Sequence, residues 1–300
     1  MAGPMNQGNW SYFVQKDLSR HFGTRYGQFK SQIPALLTRR TPDQAIVYEA
    51  LTGDLGTVPV FDGEVQYDDS KQSYRKSVEE IERALGVKVT KKLRRNDLYG
   101  QVQRQVRILA DRFRAGQESI AAGIFNNGFT STTVADGLSL FNTAHTSDQS
   151  GGVSQSNRGT SSFSPANVEA TRRLMIAFKT NRNNIQSATF PDTLLVPTAL
   201  EEKAMELISS NGKVDTALNN PNFHKGKYEL LVWHNWLTDA DNWFMLNMMR
   251  FKEDASFYDW NPVELFHAGE ADTLVSKHVG YMSNNVSVVD WMGAFGHVVA

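Results

Sequence analysis

Apolar residues recur at steps of three and four, or their sum, from residue 98 onward: Leu98, Val102, Val106, Leu109, Phe113, Ile120 and Ile124. That spacing sets them along one stripe of an α-helix. Asn96-Asp97 offers a side-chain acceptor to the first turn and a negative charge to the positive helix end. A single amphipathic helix is therefore predicted over 97–127, about 46 Å long at ~1.5 Å per residue. Its opposite face carries Arg104, Arg107, Asp111, Arg114 and Glu118. Such a face is ordinarily solvated, and it also suits a neighbouring subunit.

Elsewhere the periodicity is shorter and more often broken. Residues 1–56 predict a short helix near 11–22 and then an extended arm interrupted by Pro34 and Pro42. Trp10, Tyr12, Phe13, Phe22, Tyr26 and Phe29 fall within twenty residues, too many aromatics for a free tail, so the arm is expected to pack on its own domain or a neighbour. Val58 to Tyr67 reads as a strand and Asp68-Asp69-Ser70-Lys71 as a turn. The segment from Tyr74 to Thr90 has two readings. Val78, Ile81 and Leu85 have helical spacing, whereas Leu85, Val87 and Val89 alternate like a strand; the pattern alone predicts helix, then strand.

Residues 128–164 are rich in Ser, Thr, Asn and Gly and predict a long loop with one short strand. Ser164-Pro165 caps a helix to about Thr180, with Val168, Leu174, Met175 and Phe178 on its apolar side. A buried strand at 193–196, a helix at 200–209, and strands at 228–233 and 243–249 follow. Short apolar pieces at 265–266, 273–276 and 286–289 close the pattern. The order predicts a mixed α/β body without an internal repeat.

A chain of 300 residues can bury a sizeable core, and 40% hydrophobic with 21% charged residues is the composition of a globular protein. With 31 basic and 32 acidic residues the net charge is −1, which argues against a dedicated nucleic-acid clamp or a polybasic membrane binder. Cysteine is absent, so disulfides and thiolate metal sites are excluded. The N-terminus lacks the features of a signal peptide, no apolar run approaches ~18 residues, and a chain starting at Met1 leads us to expect no removed propeptide and a cytoplasmic site of synthesis.

Candidate chemistry is sparse. The histidines, His21, His145, His224, His234, His267, His278 and His297, form no HxxxH or HExxH pair, so no metal or cofactor site is predicted. There is no GxSxG elbow and no phosphate-cradling glycine motif. Asp136, Ser139, His145 and Ser147 lie close in sequence, but triads draw their members from distant segments, and a polar loop is the better reading. No catalytic residue is assigned.

The stretches DLYGQVQRQVRILADRFRAGQESIAAGIFNNGF, DGLSLFNTAH, PDTLLVPTALEEKAMELI and VDWMGAFG, in this order over roughly 40–300, resemble the major capsid proteins of tailed bacteriophages with the Hong Kong 97-type fold. The resemblance implies an α+β fold. It divides the chain into an N-terminal arm (1–56), an extended β-hairpin loop reaching over a neighbour (57–92), a peripheral domain (93–165) with the spine helix at 97–127, an axial domain (166–262), and C-terminal strands returning to the peripheral domain (263–300). It also favours strand over helix at 76–84. The implied function is self-assembly into pentamers and hexamers of an icosahedral shell around double-stranded DNA. The implied partners are other copies of the chain, a scaffolding protein, a portal and a decoration protein, with no membrane. The implied location is the virion, after assembly in the host cytoplasm. An encapsulin-type compartment shell is the near alternative, and a soluble hydrolase using the 136–148 loop the distant one. Some members of the fold join a loop lysine to a neighbour's asparagine; here Lys71 and Lys76 are present without an identifiable partner, and solvated lysines that discourage edge pairing are the expected reading.

Overall fold

The computed structural model describes residues 7–55, 57–68, 72–90, 92–93, 100–146, 153–180, 190–212, 220–270 and 275–299. Helix α1 (Gln7–Gln28), one turn of helix α2 (Ile33–Leu36) and strand β1 (Thr38–Arg40) make up the N-terminal segment. The predicted helix near 11–22 is thus longer than its pattern. Strands β2 (Ile46–Thr52) and β3 (Gln72–Glu79) pair antiparallel, and β4 (Glu82–Thr90) runs on into a different sheet.

Strand therefore replaces the helix expected from Val78, Ile81 and Leu85. Those residues do not share a buried face: Val78 is buried, whereas Ile81 and Leu85 are exposed. Pairing settles the conformation, because β3 finds β2 and β4 finds the edge of a long ribbon. The strand expected at 58–67 is absent, and residues 57–67 have no regular structure. Pro59 has no N–H to donate to a ladder, and Gly63 takes a φ of +110° that a β-branched residue would resist.

Helix α3 (Gln101–Asn126) is the predicted spine, beginning four residues later than its pattern and ending one earlier. Gly100 stands at its start with a φ of 64° and no side-chain cap. Leu98 and the expected cap at Asn96-Asp97 lie outside the described residues. The stripe is used in two halves. Val102, Val106, Leu109 and Phe113 pack with Leu18 and Phe22 of α1, Val89 of β4 and Met282. Ala121, Ala122, Ile124 and Phe125 enter the main core with Phe141, Trp233, Phe244 and Phe251.

One residue of the expected solvated face is elsewhere. Glu118 is only 1% exposed, and its carboxylate accepts from Ser31 Oγ (2.5 Å), the Gln32 backbone N–H (3.1 Å) and Trp233 Nε1 (3.0 Å). The second half of α3 is enclosed on most sides, Glu118's among them, so a charge there is kept by bonding it. Arg114 is half-buried over the Tyr26 ring, 4.1 Å from its centroid.

Among the described residues of the region 128–164 there are three two-residue strands, β5 (His145–Thr146), β6 (Ser154–Gln155) and β7 (Arg158–Gly159), rather than one. Helix α4 (Pro165–Ile176) starts as predicted, with Ser164 Oγ accepting from the Asn167 N–H at 3.3 Å. It stops before Thr180, and Leu174, expected inside, is 54% exposed. Strand β8 (Thr193–Val196), helix α5 (Glu201–Ser209) and strands β9 (Glu229–Val232) and β10 (Trp243–Leu246) follow. The strand expected to reach Met249 ends early because Asn247 Oδ1 accepts from the Arg250 N–H and opens helix α6 (Met248–Asp254).

The closing pieces at 265–266, 275–276 and 286–288 belong to two long antiparallel strands, β11 (Ala255–Glu270) and β12 (Val275–Val288), before β13 (Ala294–His297); residues 273–274 of the expected piece lie outside the described residues. Two sheets carry the body. One is ordered β1-β11-β12-β4, with α1 and α3 on one face, and the other is ordered β7-β13-β10-β8-β9. Helix α3 contributes to both cores and ties them together.

Candidate assembly surfaces

The Asp136–Ser147 cluster is a structural corner. His145 is fully buried, its Nδ1 lies 2.6 Å from Asp136 Oδ2, and its Nε2 lies 3.1 Å from the Leu140 carbonyl. Nδ1 faces the Asp136 carboxylate and Nε2 the Leu140 carbonyl, so among the described residues no serine hydroxyl stands against either ring nitrogen. The indole of Trp291 stacks on the ring at 4.7 Å. Ser139 Oγ bonds to Asn142 and the Phe141 carbonyl rather than to His145. Ser147 lies outside the described residues. Asp136-Gly137 is the turn, with Leu138 N–H bonded to Asp136 Oδ1 and Gly137 at a φ of 84°. Leu140 and Phe141 anchor it in the main core.

His267 and His278 meet across the β11–β12 ladder, with their Nδ1 atoms 2.5 Å apart, and the other histidines are dispersed. His145, His224, His278 and His297 are buried, and among the described residues no three His, Asp or Glu side chains meet as a metal-binding group. His297 stacks on Trp243 at 4.1 Å and accepts from the Ser161 N–H, which leaves Nε2 to donate to Thr171 Oγ1 at 2.8 Å. Burial pushes its pKa down to about 4.

The surface with functional character is the β2–β3 hairpin. Its base is fixed to the body by polar and apolar contacts together. Glu49 is buried and accepts from Tyr258 Oη (2.6 Å) and Ser287 Oγ (2.5 Å). Burial, with the Glu49 carboxylate second, pushes the Tyr258 hydroxyl up to about 12. Val78 and Val47 pack on Tyr258 and Trp260, and Trp260 Nε1 donates to the Gln44 carbonyl at 2.6 Å.

Lys76, opposite Glu49 in the ladder, donates to the carbonyls of Thr133 (2.6 Å) and Val288 (3.4 Å). Desolvation lowers its pKa while Glu49 opposes the shift. It is therefore a fastening of the hairpin rather than the solvated lysine expected. Lys71 lies outside the described residues. One signal for this base can be read in the residues, the opposite charges of Glu49 and Lys76, but only once the register of the two strands is known.

The tip is bare. Val58 is 97% exposed, Tyr67 is 91% exposed, and Val60, Phe61 and Val65 are also in solvent. Asp54, Asp62, Glu64 and Asp68 are interleaved with them, and no Lys or Arg occurs between residues 53 and 68. A run of large apolar residues held out on a fixed base has the character of an interaction surface. An isolated two-stranded hairpin is marginal in water, and this one is supported at its base by the body.

A phage capsid protein family model matches residues 75–289. Among solved structures, the mature capsid of bacteriophage PhiM1 aligns with a TM-score of 0.58 at 9% identity, covering 91% of this chain and 88% of that one. The capsid of the empty GTA particle aligns with a TM-score of 0.57 at 12% identity over 91% of each chain. A virus-like particle from Pyrococcus furiosus aligns with a TM-score of 0.53 at 8% identity, covering 94% of this chain and 98% of that one. At such identities the likeness is one of fold. No curated protein sequence matches. The mixed helix-and-sheet fold agrees with the α+β capsid fold that the sequence resemblance implied. Matched by the family model over more than two thirds of its length, the chain belongs to the phage capsid protein family.

Proposed function

We propose that this chain is the major capsid protein of a tailed phage, assembling as pentamers and hexamers into an icosahedral shell that encloses double-stranded DNA. The observation that carries the reading is the hairpin, fixed at its base by Glu49 and Lys76 and bare at its apolar tip. Such a strap has no use in a monomer. A net charge of −1 supports the same reading, since near-neutral subunits approach without strong mutual repulsion.

The parts follow the order the sequence resemblance implies, with several bounds moved. The arm is 1–45, and the extended loop begins at β2, so it spans 46–79, with β4 belonging to the ribbon of the peripheral domain. The spine helix with β11 and β12 completes that domain, and α4 to α6 with the five-stranded sheet, which includes the C-terminal β13, supply the axial one. A scaffold, a portal and a decoration protein are the expected further partners, assembly takes place in the host cytoplasm, and the mature protein resides in the virion.

Expression of the chain with its scaffold, followed by negative-stain microscopy, tests the reading: closed shells or hexamers are expected, and an assembly-incompetent monomer under all conditions counts against it. Nuclease-protected DNA of genome length inside the particles distinguishes the phage shell from an encapsulin-type compartment, which would carry an enzyme instead.

A further inference from the structure

Two surfaces of the α4–α5 region complement each other. The first is a cleft of about 730 Å³ between α4 and residues 220–224, lined by Glu169, Arg172, Arg173, Pro221, Phe223 and His224 among others. Glu169 is held by both arginines, at 2.9 Å from Arg172 and 3.0 Å from Arg173, and its carboxyl is drawn down to about 2 chiefly by Arg172. Phe223 is 52% exposed, with Lys227 Nζ 2.9 Å from its ring centroid. Three cations, Arg172, Arg173 and Lys227, thus stand against one carboxylate around an accessible aromatic ring.

The second surface is the outer ridge of α5, which lines a shallow hollow of about 480 Å³ with Thr198, Glu201, Glu202, Met205, Glu206 and Ser209. Met205 is 52% exposed, matching Phe223. Among the described residues neither Glu202 nor Glu206 has a cation within ion-pair distance. Glu201 and Glu202 suit the positive start of the helix, but Glu206 lies in the last turn, which has no basic residue, against the negative end of the dipole. Glu202 and Glu206 are also an i,i+4 like-charge pair, a destabilising arrangement in an isolated helix. The ridge is therefore not arranged for the stability of its own helix.

We infer that the acidic α5 ridge of one copy docks in the basic α4 cleft of the next, with Met205 against Phe223 and Glu202 and Glu206 facing Arg173 and Lys227. The inference rests on the reading of the chain as a shell subunit and names the contact that closes its rings. A thioether against an aromatic ring is a favourable contact, and opposite charges around it fix partner and register. The two patches share no residue, so the contact is heterologous: it propagates head to tail and makes a ring where its rotation closes, as the shell reading requires.

Charge reversal tests this. A ridge variant (E202R/E206R) and a cleft variant (R173E/K227E) change exposed positions, and thermal melts of the two confirm that each folds. Each alone is expected to form rings about tenfold or more less well than wild type. All four substitutions in one chain restore rings. The two variants mixed pair only alternately, so they form six-membered rings but no five-membered ones, and no closed shells. Should a variant fail to fold, the neutral versions E202Q/E206Q and R173Q/K227Q are read the same way, each weakening ring formation. Wild-type shells together with wild-type yields of shells from either folded single-face variant overturn this interface alone. A wild-type chain that never oligomerises overturns the shell reading and the interface with it.

Discussion

Removing the Glu118 carboxylate removes the acceptor for three donors from two separate parts of the chain: Ser31 Oγ and the Gln32 N–H in one, and Trp233 Nε1 in the other. Trp233 is 1% exposed and cannot turn to water, whereas Ser31 and Gln32 are half-buried and can do so in part. A buried donor left without a partner costs about 1–3 kcal/mol. Glu118→Ala is thus expected to destabilise the unassembled subunit by about 3–5 kcal/mol, after crediting relief from burying a charge. Glu118→Gln keeps one carbonyl oxygen and is expected to cost about 2 kcal/mol, since its amide group meets a donor.

The assay is urea unfolding followed by far-UV circular dichroism at a fixed low concentration, so that assembly does not shift the midpoint. Trp233→Phe removes one of the stranded donors, and a double-mutant cycle with Glu118→Ala is expected to show a coupling of about 1 kcal/mol or more. A Glu118→Ala protein within about 0.5 kcal/mol of wild type, the range of ordinary surface changes, refutes the argument.

Gly280→Ala places a Cβ inside van der Waals contact with the Phe113 ring, so a loss of about 1–3 kcal/mol is expected, with partial recovery on adding Phe113→Leu; the urea midpoints of the single and double variants check it. Excising residues 57–68 and joining the ends through a short glycine linker removes only exposed chain, so the subunit should melt as wild type while light scattering shows no shells; wild-type particle yield contradicts the assigned role of the tip. His297, whose pKa is pushed down to about 4 from 6.5, binds its proton more readily unfolded than folded. Its contribution is complete above about pH 6.5, shrinks as pH falls, and is exhausted near pH 4, a span of about 3 kcal/mol. The stability gap between wild type and His297→Gln should therefore narrow from pH 7 to pH 4.5 in urea titrations, and a gap independent of pH removes that assignment.

The spine helix was legible because its apolar spacing is long and matches one period, and Ser164-Pro165 was legible because a cap is a local device. Glu118 was misread for a reason visible afterwards: from Gln117 onward α3 is apolar or small on most sides, with Ala121, Ala122, Ile124 and Phe125 all buried, so a charge there had to be paired. The long ribbon was hidden by its own irregularity. Asn261-Pro262 reads as a turn, yet it sits in β11 where the register shifts, and a strand tolerates proline at such a place. Residues 58–67 failed in the opposite direction, since their β-branched and aromatic content signals a strand only when a partner supplies the ladder. The assembly surfaces were the least legible part. A bare apolar tip and a buried hairpin base have similar sequences, and only the three-dimensional pairing of Glu49 with Tyr258 and Ser287 tells them apart.

The central claim is that this chain builds a closed shell from rings of itself. Cryo-electron microscopy of particles purified after expression with the scaffold tests it most directly. The account predicts icosahedral shells in which the 57–68 tip of each subunit is covered by a neighbour. A homogeneous monomer, or a particle in which that tip stands free in solvent, contradicts it.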